Sequence, residues 1–413
     1  MVKKGYKQTE VGVIPEKWKD KKLGDVGKVC MCKRIFANQT SNTGEVPFFK
    51  IGTFGKEADA YISKGLYEDY KQRFSYPQKG DVLISAAGTL GRTIVFEGKD
   101  AYFQDSNIVW LDTDKELLCN EYLYHYYKVI KWGASEGSTI ARLYNGIICN
   151  THIALPDVEE QKQIATVLSE LDELMSLTEK QIAKKKAIKQ GAMQELLTGK
   201  RRLPGFSGEW ETKKLKDYCS LITKQTGFDY SAYIKPALIT RKMPNTFPMI
   251  QTINFRGRKF TFETDYYIPQ SVAMQFPNIV LNKKCVLFSI VGASVGNVGL
   301  YPGSITAFCG GAIGITRFRN EQDAEWVFNY MSSPDGQSQI QYVTKGGAQA
   351  TVTIADIRNF KIPTPEKDER DAISGILENM DHEIEVLEQK LEKYREVKQG
   401  MMQQLLTGKI RLV

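Results

Sequence analysis

The residues whose types could carry chemistry are few and poorly arranged for it. Three histidines occur, His125, His152 and His382. His125 lies in an aromatic run from Tyr122 to Tyr127, and His382 at an exposed position of a helical pattern, so both read as structural. Seven cysteines, an odd number without a Cys-x-x-Cys pair, point to reduced thiols and against a zinc site. Cys30 and Cys32 form no recognised motif. The run Pro156-Asp157…Glu160-Gln161-Lys162 superficially resembles a nuclease site, yet all of it falls within two helical turns. Asp157 with Glu160 three positions later reads instead as a capping box. There is no phosphate-cradling Gly-x-x-x-x-Gly-Lys-Ser/Thr loop and no Gly-x-Gly-x-x-Gly after a strand. The Phe-x-Gly-x-Gly and Asn-Pro-Pro-Tyr/Phe signatures of amino-methyltransferases are missing as well. The expectation is a chain with no catalytic residue, no metal and no cofactor.

What remains is charge. A formal net charge of +8 favours an anionic partner. The basic residues are spread over the whole chain, which suits a nucleic-acid surface better than a disordered basic tail. Loop residues with cationic or amide heads are the candidates for DNA contact. In the first half these are Lys33, Arg34, Lys56, Arg73, Thr89 and Arg92, and in the second Arg241, Lys242, Arg256, Arg258, Lys259 and Asn297. Arginine can read guanine through two parallel hydrogen bonds, whereas lysine mostly anchors phosphate. For any one of them a solvated surface charge is the plainer reading. Asn254 to Lys259 is the densest cluster, and Lys184-Lys185-Lys186 reads as a solvated helix face.

The elements that would position these loops are announced by a duplication. Lys189-Gln190-Gly191 through Leu196-Leu197-Thr198-Gly199-Lys200 to Leu203 returns as Lys398-Gln399-Gly400 through Leu405-Leu406-Thr407-Gly408-Lys409 to Leu412. The two differ only at 192/401, 195/404 and 201/410, and the ungapped register runs back to Glu160/Glu369. A repeat this long means two copies of a globular unit rather than a solenoid. Upstream of each motif lies a narrow apolar seam at alternating spacings of four and three. It reads Ile164, Leu168, Leu171, Met175, then Thr178 and Ile182 in the first copy. In the second it reads Ile373, Leu377, Met380, Ile384, Leu387, Leu391 and Tyr394. That period predicts two coiled-coil helices that pair with each other. Pro156 and Pro365 suit their first turns and Gly199 and Gly408 their αL ends, giving each about 40 residues, or roughly 60 Å. Gly191 and Gly400, inside the pattern, predict a close backbone approach, to the other helix or to a partner, or a kink.

The globular segments repeat more faintly. Trp18-Lys19-Asp20-Lys21-Lys22-Leu23 is echoed by Trp210 to Leu215, and the strand-like run from Val82 to Ser85 by Val286 to Ser289. Tyr122 to Tyr127 and Trp326 to Tyr330 predict one short helix per copy, and Ile153 to Leu155 and Ile362-Pro363 a strand leading into each long helix. Residues 28–76 and 218–277 share almost nothing, as one scaffold with two different surfaces requires.

Glu160-Gln161-Lys162-Gln163-Ile164-Ala165 leading into Lys-Gln-Gly-x-Met-Gln-x-Leu-Leu-Thr-Gly-Lys resembles the conserved regions of type I restriction–modification specificity subunits. The opening Tyr6 to Trp18 is similar to that family too. The resemblance implies an α/β (α+β) fold with two recognition domains, joined by two long antiparallel coiled-coil helices in a pseudo-twofold internal repeat. The boundaries would be 1–155 and 201–363 for the recognition domains, and 156–200 and 364–413 for the helices. It further implies that each domain reads one half of a split, asymmetric site in double-stranded DNA. The helices would dock two methyltransferase (modification) subunits and, through them, the restriction subunits. The seam residues with Gly191 and Gly400 would carry the pairing and docking. The specificity chain of a fused type II system is the alternative, followed by a coiled-coil adaptor with no DNA role. With no 18-residue apolar run and no signal-peptide core at the N-terminus, the expected location is the cytoplasm.

Overall fold

The computed structural model describes residues 3–133, 142–344 and 350–412. Two helices of 39 residues dominate it, α1 (Val158–Leu196) and α2 (Lys367–Leu405). Asp157 Oδ1 accepts the backbone N–H of Glu160 at 2.9 Å, which caps α1. Only half of the expected capping box forms, because the Glu160 carboxylate is engaged elsewhere. Pro156 and Pro365 precede the first helical turns instead of lying inside them. Gly199 and Gly408 adopt φ of +71° and +67° just beyond the helix ends, the αL conformation that glycine alone takes freely.

The chain divides into two compact units, Met1–Glu179 with Gln389–Val413, and Lys180–Glu388. In the first unit, Gly27–Met31, Ile108–Thr113, Val82–Ser85 and Thr93–Val95 form an antiparallel sheet in that order. A smaller sheet pairs Val46–Phe49 antiparallel with Tyr61–Ile62 and parallel with Tyr102–Phe103. A ribbon of Lys19–Lys22 against His152–Leu155 leads into α1. Val82–Ser85 is buried along its whole length, which is why its sequence reads as a continuous apolar run.

The second unit repeats this plan. Cys219–Lys224, Ile313–Phe318, Cys285–Ser289 and Val298–Tyr301 form the four-stranded sheet. Thr246–Ile250 pairs antiparallel with Tyr267–Pro269 and parallel with Ala307–Cys309. Glu211–Lys214 and Lys361–Thr364 form the ribbon. The segments that share almost no sequence therefore still share strand order. What they do not share is the trim: the second unit adds Val280–Leu281 to its smaller sheet and a hairpin, Phe255–Arg256 with Lys259–Phe260.

Each unit's core is completed by the end of one long helix and the start of the other. In the first, Ile164 and Leu168 of α1 pack in one cluster with Leu405 and Leu406, alongside Trp18, Tyr122 and Leu123. In the second, Ala192, Met193, Leu196 and Leu197 join Ile373, Leu377 and Trp326. The predicted seam is thus largely buried, with Ile182, Ile384 and Leu391 also inside. For Gly191 and Gly400 the expected approach to the other helix, and the kink, do not form. A Cβ at either would meet nothing within 4 Å, and the helix runs unbroken through both. Neither glycine serves a close approach to the rest of the chain.

Candidate nucleic-acid interface

The helix pairing is antiparallel within each unit, and a ladder of ion pairs fixes its register. In the first unit Asp172 meets Lys398, and Glu179 meets Arg395 at 3.0 Å. In the second Asp381 meets Lys189, and Glu388 meets Lys186 at 2.7 Å. Each pair is the image of the other under the sequence repeat. Beyond the ladder lies a node that the repeat motif hinted at only through its terminal arginine. Arg202 Nε and Nη2 donate to Glu369 at 2.8 and 2.7 Å, and Trp210 Nε1 donates to the same carboxylate at 2.9 Å. Arg411, Glu160 and Trp18 repeat it in the first unit. Burial raises the Glu369 pKa, but the Arg202 and Trp210 hydrogen bonds outweigh it and hold the carboxyl below its usual range.

The loop cations fall into two groups. Lys56, Arg241, Lys242 and Arg256 are exposed and have no side-chain partner among the described residues. Thr89 is exposed in its glycine loop, and Lys33 sits over the Phe74 ring at 5.1 Å. The rest are anchored within the chain. Arg34 pairs with Asp105 at 2.8 Å, Arg73 with Asp69 at 3.0 Å, and Arg92 Nη1 donates to Phe54 O at 2.7 Å. Arg258 is held by Glu325 at 2.8 Å and Asp381 at 3.0 Å while lying over Phe328. Burial works against its charge, and the two carboxylates more than compensate. Lys259 pairs with Glu388 of α2, and Asn297 Nδ2 donates to Phe255 O at 2.7 Å, bracing the hairpin. The densest cluster in the sequence is therefore mostly a strut that fastens the hairpin to α2. Arg256 is its outward-facing member.

Sequence reasoning missed Arg142, whose Nη2 donates to Asn107 Oδ1 at 2.7 Å and to Ser106 Oγ at 3.2 Å. Nothing in the local sequence links residues so far apart. His125 is fully buried, with Nε2 2.9 Å from Ser169 Oγ; burial, then Lys128 and Lys398, lowers its pKa to about 4. His152 Nδ1 lies 2.7 Å from Asp20. All seven cysteines are free, and burial pushes Cys32, Cys219 and Cys285 up to about 12. Among the described residues no group of His, Cys, Asp or Glu could hold a metal, and no helix is long and apolar enough to cross a membrane.

The described residues thus form two like units that carry differing loops on paired helices. Residues 15–187 and 207–394 each match the type I restriction modification DNA specificity domain, and the chain belongs to that family. It is a specificity subunit, and as such non-catalytic. A putative type I restriction enzyme specificity subunit of Haemophilus influenzae is 57% identical over 158 residues, 38% of this chain and 41% of that one. The putative MjaX specificity subunit of Methanocaldococcus jannaschii is 27% identical across 98% of this chain and 97% of its own. In fold the chain is similar to the type I system S subunit of M. genitalium, with TM-score 0.62 and 13% identity over 94% and 96% of the two chains. A chain from a study of type I complex assembly and conformational transition gives TM-score 0.56 and 16% identity over 96% and 99%.

Proposed function

We propose that the chain binds double-stranded DNA and that each recognition domain, 1–155 and 201–363, reads one half of a bipartite asymmetric site. The helical segments 156–200 and 364–413 set the spacer between the halves and dock two methyltransferase subunits, which in turn recruit the restriction subunits. The observation that carries this is one strand order used twice beneath unlike loops, each copy tied to the helices by the same arginine–glutamate–tryptophan node. Phosphate contacts would fall to exposed cations such as Lys56, Arg241, Lys242 and Arg256. Docking is supported by exposed apolar residues at repeat-related positions, Leu177 with Val386 and Ile188 with Val397. Gly191 and Gly400, open on the helix surface, leave room there for a partner's backbone.

Lengthening both helices together tests the ruler role. Seven residues inserted after Leu177 and seven after Val386 keep the heptad phase and add about 10 Å of helix. That equals roughly three base pairs. Methylome sequencing of the assembled complex should return the same half-sequences with a spacer longer by about two to four base pairs. An active complex with an unchanged spacer would remove the ruler. Failure of the native chain to bind DNA in a salt-dependent way would remove the DNA role itself.

A further inference from the structure

The second unit contains an unoccupied demand for hydrogen bonds. Gln225, immediately after the strand Cys219–Lys224, is only 3% exposed, and neither its Oε1 nor its Nε2 has a partner among the described residues. A buried amide with both ends unpaired costs free energy that folding normally avoids. The amide lines a cavity of about 450 Å³ shared with Thr226, Tyr230, Thr252, Gly310 and Gly311. The two glycines make this possible. A Cβ at Gly311 would stand 3.0 Å from Gln225 Oε1, and one at Gly310 would stand 3.0 Å from Ile250 O. Side chains there would crowd the amide and narrow the cavity.

The chain on the rim has its own anomaly. Phe228 follows Gly227 and is 73% exposed, and Ile253 follows Thr252 and is 74% exposed. Large apolar side chains left in solvent beside a cavity whose wall holds a buried amide are suited to pushing into a base stack. Phe228 meets Tyr233 edge to face at 6.2 Å, which steadies it for that task. The first unit lacks the arrangement. Met31 and Lys224 occupy matching register positions, opposite Val109 and Gly314, so Cys32 stands where Gln225 does. Near it, the Arg34–Asp105 ion pair occupies the loops that are glycines in the second unit.

Resting on the DNA-reading role proposed above, we propose that this cavity takes a single adenine, unstacked from bound DNA, and that the Gln225 amide hydrogen-bonds its edge. Glutamine matches adenine because its amide offers one donor and one acceptor side by side, complementary to adenine N7 and the N6 amino group. Tyr230 supplies a ring in the wall, and Phe228 and Ile253 fill the gap the base leaves in the stack. The first unit reads its half-site without such extrusion.

The test uses the full chain assembled with its methyltransferase subunits on a duplex carrying the site mapped by methylome sequencing. The thymine opposite each adenine of the second domain's half-site is probed with permanganate, which oxidises a thymine whose partner has left the stack; the adenine found methylated, which a methyltransferase subunit itself extrudes, is set aside. With the native chain one further thymine reacts several-fold faster than in free duplex. With Gln225→Leu that signal disappears and preference for adenine at that position falls by on the order of tenfold or more, while other positions and the salt dependence are unchanged. Gly311→Ala, which displaces the amide without removing it, gives the same position-limited loss, and thermal melting confirms that both variants fold. Site-specific binding with no such reactive thymine overturns the proposal and leaves the DNA-reading role standing. Binding of free adenosine that depends on Gln225, with no DNA signal, overturns it in favour of a nucleoside site. Loss of site-specific binding by the native chain would instead strike the DNA-reading role.

Discussion

Arg411 closes on Glu160 through hydrogen bonds of 2.7 and 2.6 Å, joining residues 251 positions apart. Glu160 is 1% exposed, and its carboxylate accepts from this guanidinium and from the Trp18 indole. Such a buried pair adds little over an apolar replacement, but removing one partner strands the other. Arg411→Ala should therefore destabilise the first unit by about 3 kcal/mol. Urea unfolding followed by tryptophan fluorescence checks it. Arg411→Lys should recover only part, because an ammonium cannot reproduce the two-pronged geometry.

The same node makes the first half of the chain self-complementary. In the full protein the first unit's core needs Leu405 and Leu406, and Arg411 on Glu160. The fragment 1–203 carries their counterparts, Leu196, Leu197 and Arg202, at matching spacing. Two copies of the fragment should therefore supply each other's missing tail and form a dimer, which would read a palindromic site. Sedimentation is the measurement. A fragment still monomeric at tens of micromolar would contradict it, and 1–179, lacking the tail, should not dimerise.

Arg256 and Arg258 stand two residues apart and should respond oppositely. Arg258→Ala takes the shared cation from buried Glu325 and partly exposed Asp381, leaving them Lys284 and Lys189, and should cost stability of about 1–3 kcal/mol. Arg256→Ala, at an exposed position, should change stability by less than about 0.5 kcal/mol. It should weaken DNA binding and flatten the salt slope by about one unit if it anchors phosphate. Melting curves and salt titrations separate the two effects.

His125 should make the first unit acid-sensitive. Its pKa is lowered from 6.5 to about 4 in the folded chain, chiefly by burial. Between those values the unfolded chain binds a proton that the folded one refuses, so stability present above pH 6.5 is lost as pH falls toward 4. The loss is on the order of 1–3 kcal/mol. Asp172, held below its ordinary range by Lys398 and Lys128 against the effect of burial, adds a loss of the same sign at lower pH. His125→Asn should flatten the upper part of the profile, from pH 6.5 to 5, in unfolding experiments at stepped pH.

The duplication, the two long helices, their narrow seams and their glycine ends were legible in the sequence because a heptad pattern and a cap are local and repeat. Asp157 capping and the two short helices, Asn120–Tyr127 and Asp323–Met331, were legible for the same reason. The common strand order beneath residues 28–76 and 218–277 was not, because many apolar residue choices fill the same pleated layer. The candidate surface was the least legible part. Arg258 and Lys259 look like any loop cations until the fold brings Glu325, Asp381 and Glu388 beside them. Arg256 is left facing solvent. Gln225 gave no signal at all, since an amide is ordinary until burial removes its water and the fold supplies no replacement. Local pattern determined the elements and their repetition. Which charges are spent inside the protein and which remain for a partner was decided only by tertiary packing, because pairing depends on distances that the chain sets through residues hundreds of positions away.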